Sequence, residues 1–173
     1  EKVHKWAKKL PKDKEKLMDL GIAGKKALVC ASSKGLGKGC AMALAEAGVD
    51  LILNARSQEV LEETAALIRS RFNVNVEPVA ADITSAEGQV EVLECAGAVD
   101  ILVNNAGGPP PGMWSEWARE DFLSALNANM LTPIALMSHY LPIMIEKGWG
   151  RVVNITSQSV KAPIAVLGLS NSA

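Results

Sequence analysis

Lys-Ala-Leu-Val-Cys-Ala-Ser-Ser-Lys-Gly-Leu-Gly-Lys-Gly-Cys-Ala-Met-Ala-Leu, residues 26–44, reads as a strand, a tight loop and a helix. The apolar, β-prone run Ala27–Ala31 predicts the strand. Ser32, Ser33, Lys34 and Gly35 make the turn, and Ala- and Leu-rich sequence with helical spacing follows from near Leu36. Gly35 and Gly37 tolerate backbone angles that other residues resist and let a ligand approach the main chain. A helix starting here aims unpaired N–H groups and the positive end of its dipole over the loop, so an anion is the natural guest. A Gly-x-Gly turn alone also fits a plain βα connection, and the rest of the chain has to decide.

The alternation continues. Val49–Asn54 predicts a second strand, and Ser57 is placed to cap a helix with Val60, Leu61, Ala65, Leu67 and Ile68 on one face, ending near Phe72. Val74–Ala80 predicts a third strand and Ser85 the cap of a shorter helix. Val99–Asn104 is a fourth, with the continuous apolar run of a strand buried on both faces. Gly107–Gly112 is Pro- and Gly-rich loop. A long helical region follows from Ser115 to Glu146, with bends expected near Pro133 and Pro142, and Arg151–Thr156 predicts a fifth strand. Strands alternating with helices predict an α/β fold, a doubly wound parallel sheet between helices on both faces. Ligands in such folds bind beyond the C-terminal strand ends, so the loops after strands one, two, four and five are the places to look.

A length of 173 residues suits one domain, and 49% hydrophobic residues is ample for its core. No apolar run approaches the ~20 residues of a membrane span, and a net charge of −1 gives no reason to expect a nucleic-acid partner. Residues 1–17 differ from the rest, with seven Lys against three acids. Val3, Trp6 and Leu10 allow a short basic amphipathic helix ended by Pro11; a solvated extension is the preferred reading over a membrane-surface helix, and Met18 is a plausible natural start. That leaves 18–173 as the main domain. Cys30, Cys40 and Cys95, without paired spacing, read as reduced thiols of a cytoplasmic protein, packed rather than metal-bound.

In a dinucleotide site, an acid about twenty residues past the glycines holds the ribose 2′-hydroxyl of NAD. Here the second strand ends Asn54-Ala55-Arg56-Ser57, with no acid. Arg56 and Ser57 suit a 2′-phosphate, and Lys34 adds a second cation, so NADP(H) is expected over NAD.

From about Gly21 the chain resembles a short-chain dehydrogenase/reductase, and within that family the 3-oxoacyl-[acyl-carrier-protein] reductases and their relatives. Residues 31–37 resemble the family's Thr-Gly-x-x-x-Gly-x-Gly loop, with Ala31 where the first glycine belongs. Asp82-Ile83 resembles the adenine-contacting acid after the third strand. Asn104-Asn105-Ala106-Gly107 matches the Asn-Asn-Ala-Gly signature in full. Asn129, 22 residues before Arg151, has the spacing of the active-site Asn, and Ser157 stands where the catalytic Ser does. The resemblance implies a Rossmann-type three-layer α/β/α domain and a homo-oligomer, dimer or tetramer. Its sixth and seventh strands and substrate flap would follow Ala173. It further implies cofactor contacts from Ser32 through Gly37, from Asn54, Arg56 and Ser57, from Asp82 and Ile83, and from Asn105, Ala106 and Gly107. Asn105 equally suits a purely structural role between strands.

One departure matters. The family's Tyr-x-x-x-Lys would place Tyr at position 170, where this chain has Ser170. Tyr140, its one tyrosine, falls inside the long helix and reads as packing. A phenol with a pKa near ~10 can be tuned into an acid, whereas an aliphatic hydroxyl is far weaker. The expected activity is NADP(H)-dependent reduction of a carbonyl to a secondary alcohol, with 3-oxoacyl thioesters among the substrates and Asn129, Ser157 and Ser170 as the catalytic set. The alternative is a family member that binds a dinucleotide as sensor or scaffold.

Overall fold

Apolar residues alternate between the two faces of each central strand, which is what a sheet covered on both sides requires. In the computed structural model, which describes residues 19–172, these strands form one five-stranded parallel sheet. The basic extension expected over residues 1–17 lies outside the described residues. The strands are β1 (Lys26–Val29), β2 (Asp50–Ala55), β3 (Val76–Ala80), β4 (Ile101–Asn104) and β5 (Arg151–Asn154), in the order β3-β2-β1-β4-β5. Ala27 pairs with Leu51 on one side and Ile101 on the other, so β1 is central. Pro78 lies on the edge strand β3, where a missing N–H costs no ladder bond.

The helices are α1 (Gly35–Glu46), α2 (Gln58–Arg71), α3 (Ala86–Ala96), α4 (Arg119–Leu126), α5 (Thr132–Glu146) and α6 (Gly168–Ser172). On one face, Ala27, Val29, Leu51 and Leu53 pack with Ala41 and Ala45 of α1 and Leu61, Ala65 and Ile68 of α2. On the other, Leu28, Cys30 and Ile52 pack with Val92 of α3 and Leu136, Tyr140 and Met144 of α5. This is the expected α/β/α sandwich. The strand order reverses between β1 and β4, so a crevice opens there beyond the C-terminal strand ends.

Three local expectations need correction. β1 ends at Val29 rather than Ala31, because Ala31 takes a left-handed conformation with φ +47° that no strand continues. Ser57 stands at the start of α2, but its hydroxyl makes no capping bond, unlike Ser85 Oγ, which accepts the N–H of Gly88 at 3.0 Å. The long helical region breaks at a π turn over Asn127–Leu131, just ahead of Pro133, whereas Pro142 leaves α5 unbroken. Pro142 is exposed, as is Ser138, whose carbonyl it leaves without a helical donor.

Candidate active site

The loop after β1 is shaped by two positive-φ residues and one close approach. Ala31 and Gly35 hold φ of +47° and +59°. At Gly37 the backbone of α1 presses on the carbonyl of Ala31 so closely that any Cβ would overlap it. The amide of Asn105 donates to that same carbonyl at 3.4 Å, tying the end of β4 to the loop. Thr64 of α2 adds a bond from its hydroxyl to the Ser33 carbonyl at 3.0 Å. The loop is thus gripped from three sides, while Lys34, Gly35 and Leu36 stay exposed at the start of α1.

Two of the expected cofactor contacts turn inward. Ser32 is fully buried, and its hydroxyl and N–H both donate to the Asn54 carbonyl, at 3.2 and 2.9 Å. Asn54 is buried as well, its amide donating to the carbonyls of Val79 and Ala81 at 3.1 and 3.0 Å. Their side chains brace the loop from behind, bonded to backbone carbonyls. Arg56 and Ser57 are exposed at the end of β2. Among the described residues, neither Lys34 nor Arg56 is held in an ion pair. Asp82 is exposed; the hydroxyl and N–H of Thr84, at 2.7 and 3.0 Å, hold its carboxyl below the usual carboxylate range, and the charge of Arg56 adds to this. Ile83 is buried beneath it.

After β4, Asn104 turns into the sheet and its amide donates to Asn154 Oδ1 of β5 at 2.8 Å. Ala106 is half-buried and Gly107 exposed with open space around it. The loop beyond crosses to the segment after β5, where the N–H of Gly112 donates to the Val166 carbonyl at 2.9 Å. The ring of Trp117 closes this seam, lying against Gly112 and so tightly over Gly168 that only glycine fits there.

Asn129 lies in the π turn, and its amide donates to the Ala125 carbonyl at 3.0 Å. Pro133, four residues on, has no N–H, so the Asn129 carbonyl lacks its ordinary helical donor. Asn127, which the sequence did not single out, fixes the turn by donating to the Thr84 carbonyl at 2.9 Å. Ser157 opens a single 3₁₀ turn, Gln158–Val160, beyond β5, and its Oγ accepts from the N–H and hydroxyl of Ser159 at 3.1 and 2.8 Å. Ser170, half-buried, rides on α6, which packs against that turn. Tyr140 is fully buried in the core, and burial pushes its phenol well above the usual range. Cys30 is likewise sealed, its thiol pushed up to about 12 by burial against a small opposing effect of the Asn105 N–H. Neither group can exchange a proton with a ligand.

A parallel sheet with a glycine-cradled helix start at its switch point, and polar residues at neighbouring strand ends, defines a dinucleotide-binding α/β domain. The chain belongs to the short chain dehydrogenase family, whose sequence profile matches residues 25–169. It is 34% identical over 143 residues to the L-xylulose reductase of Cavia porcellus, covering 82% of this chain and 57% of that protein. It is 31% identical over 144 residues to the 3-oxoacyl-[acyl-carrier-protein] reductase FabG of Aquifex aeolicus, covering 81% of this chain and 58% of that one. The L-sorbose reductase of Gluconobacter frateurii, solved with NADPH and L-sorbose, superposes with a TM-score of 0.85 at 32% identity, over 89% of this chain and 60% of the other. The chain therefore spans less than two thirds of these relatives.

Proposed function

We propose that the chain is the dinucleotide-binding and catalytic part of an NADP(H)-dependent reductase that converts a carbonyl to a secondary alcohol, 3-oxoacyl thioesters being one substrate class. The observation that carries this is the gathering of the glycine loop, two cations unpaired among the described residues and the Ser157 hydroxyl at the C-terminal ends of the strands. The residues fit the cofactor. The start of α1 and the N–H groups of its loop suit the pyrophosphate, and Lys34 and Arg56 suit the 2′-phosphate. Open backbone at Gly107 and Gly108 leaves room for the nicotinamide ribose. Ser33, Leu36, Ser57, Asp82, Ala106 and Asn105 complete the assignment; Ser32 and Asn54 act from behind.

When bound, NADPH supplies the hydride. Ser157 donates a hydrogen bond to the carbonyl oxygen as negative charge develops there, and a proton from solvent completes the alcohol. The Asn129 carbonyl, which Pro133 leaves without an i+4 donor, would hold a water on that route. Ser170 occupies the family's proton-donor position with a hydroxyl too weakly acidic to act as a phenol would, so turnover is expected to be slow. The exposed apolar residues of α4, the π turn and α5, Leu123, Met130, Ile134, Leu141 and Ile145, support a homo-oligomer. Three free thiols support a cytoplasmic setting.

NADPH oxidation with acetoacetyl-CoA, followed in wild type and Ser157→Ala, tests the reading. Loss of one such donor lowers turnover by ~10²–10³, and turnover unchanged in Ser157→Ala removes Ser157 from the mechanism. The serine at 170 favours one second reading, a dinucleotide sensor or scaffold; tight NADPH binding with no turnover on any carbonyl is its signature.

A further inference from the structure

We infer that Ser159 is a positioning residue that aims and polarises the Ser157 hydroxyl, an inference that rests on the reading of Ser157 just given. Ser157 Oγ accepts two hydrogen bonds from one residue: the Ser159 N–H at 3.1 Å and the Ser159 hydroxyl at 2.8 Å. A serine oxygen offers two acceptor sites and one proton. Both acceptor sites are therefore taken, and the Ser157 proton is left to point away from the turn. Among the described residues, no protein acceptor takes that proton.

Ser159 is only 1% exposed, and Ser157 is the partner of its hydroxyl. A hydroxyl buried this deeply needs a hydrogen-bond partner, and Ser157 Oγ is the one within reach. In this inference the bond runs from Ser159 to Ser157, which leaves the Ser157 proton free for a ligand. Hydrogen bonds in series polarise one another, so two bonds donated into Ser157 Oγ strengthen the one that it donates outward. A serine hydroxyl otherwise rotates freely to suit whatever acceptor is near. Here it is fixed before a substrate arrives, so ordering it costs nothing when charge develops on a carbonyl oxygen.

The place in the fold makes this readable as function. Ser157 opens the 3₁₀ turn at the C-terminal end of β5, and α6 with Ser170 packs on the same turn. With a weak acid at position 170, stabilisation of the developing charge falls more heavily on Ser157. Ser159 is the residue that makes Ser157 a directed donor.

The test is a double-mutant cycle on the full chain, with NADPH and acetoacetyl-CoA, comparing Ser157→Ala, Ser159→Ala, the double variant and Ser159→Thr. Ser159→Ala is expected to lower kcat about ten-fold, the worth of one hydrogen bond, with KM and NADPH affinity near wild type. The double variant should be no slower than Ser157→Ala, because Ser159 acts only through Ser157. Ser159→Thr keeps the hydroxyl and should recover most of the loss. Wild-type kcat in Ser159→Ala, or losses that multiply in the double variant, would overturn the inference while Ser157→Ala still shows Ser157 at work. Wild-type turnover in Ser157→Ala, or none in the unmodified chain, overturns the reading of Ser157 and this inference with it. Thermal unfolding and NADPH titration of each variant separate loss of fold from loss of aim.

Discussion

The carbonyl of Ala31 fills the space that a side chain on Gly37 would need, and Asn105 Nδ2 stands 2.9 Å from the same point. Glycine at 37 is therefore required by packing, whereas at Gly107 a Cβ would meet nothing within 4 Å. Overpacking costs about 1–3 kcal/mol, so Gly37→Ala should lower Tm by roughly 2–10 °C and weaken NADPH binding. Gly107→Ala should leave Tm within about 2 °C of wild type. Ala31→Gly should raise it slightly, because relief of a left-handed alanine, about 1–2 kcal/mol, exceeds the added chain entropy of about 0.4–1 kcal/mol. Thermal denaturation by circular dichroism reads all three. A Gly37→Ala protein as stable as wild type contradicts the packing account.

NADPH should bind more tightly than NADH, since Lys34 and Arg56 carry exposed charges that no ion pair occupies among the described residues. Removing one charge-assisted contact costs about 1.5–3 kcal/mol, or roughly one to two decades in affinity. Arg56→Ala should show that loss for NADPH and almost none for NADH. Fluorescence titration of both cofactors measures it, and equal affinities in wild type would sink the assignment.

At the opposite end of the sheet, Asp100 is buried, accepting the Lys26 N–H at 2.9 Å and the Lys147 ammonium. Burial pushes its carboxyl up, but the Lys147 hydrogen bond, the Lys26 N–H and the nearby lysine charges outweigh burial and hold it below the usual range. The native state then binds fewer protons than the unfolded chain, so this stabilisation is present above the ordinary carboxylate pKa near ~4 and fades as pH falls through the lower native value. Asp100→Asn should lower Tm at pH 7 and flatten the acid limb of a Tm-against-pH curve. A variant curve parallel to wild type below pH 4 would show that Asp100 contributes nothing to it.

The apolar stripe on α4, the π turn and α5 should bury itself in a second copy. Ile145 is 76% exposed and Ile134 45%, more than a surface rich in partnered helices leaves bare. Wild type should scatter light as a dimer or larger at micromolar concentration, and Ile134→Glu with Ile145→Glu should shift it toward monomer. A wild-type monomer would contradict the expectation.

The architecture was legible because its signals are local. Apolar runs of four to six residues mark β1, β2 and β4, and the 3.6-residue spacing of Leu61, Ala65 and Ile68 marks α2. Boundaries slipped where tertiary contacts decide them. One sign announces the left-handed Ala31, its place where the resembling loop has glycine; Gly37 and Asn105 grip its carbonyl. The break before Pro133 was expected, but its π geometry depends on Asn127 reaching Thr84, 43 residues away. Within the candidate site, Lys34 and Arg56 stand exposed after β1 and β2, as their spacing suggests. The inward turn of the Ser32 and Asn54 side chains was not legible, because which way a polar side chain faces is set by the strand that lies behind it. Ser159 left one trace, a Ser-x-Ser spacing that suits a local hydroxyl-to-backbone turn.

The central position of β1 also sets an order of assembly. Its pairing with β2 joins Lys26 to Asp50, and β2 meets β3 across a similar interval, Leu51 to Val76. Its pairing with β4 joins Ala27 to Ile101 and must close a loop about three times longer before any contact rewards it. Loop-closure entropy thus favours the β1-β2-β3 half, with α1 and α2 able to cover one of its faces, as the first part to form. The crevice at the switch point needs β4 as well, so a dinucleotide bound there would tie the two halves of the sheet together.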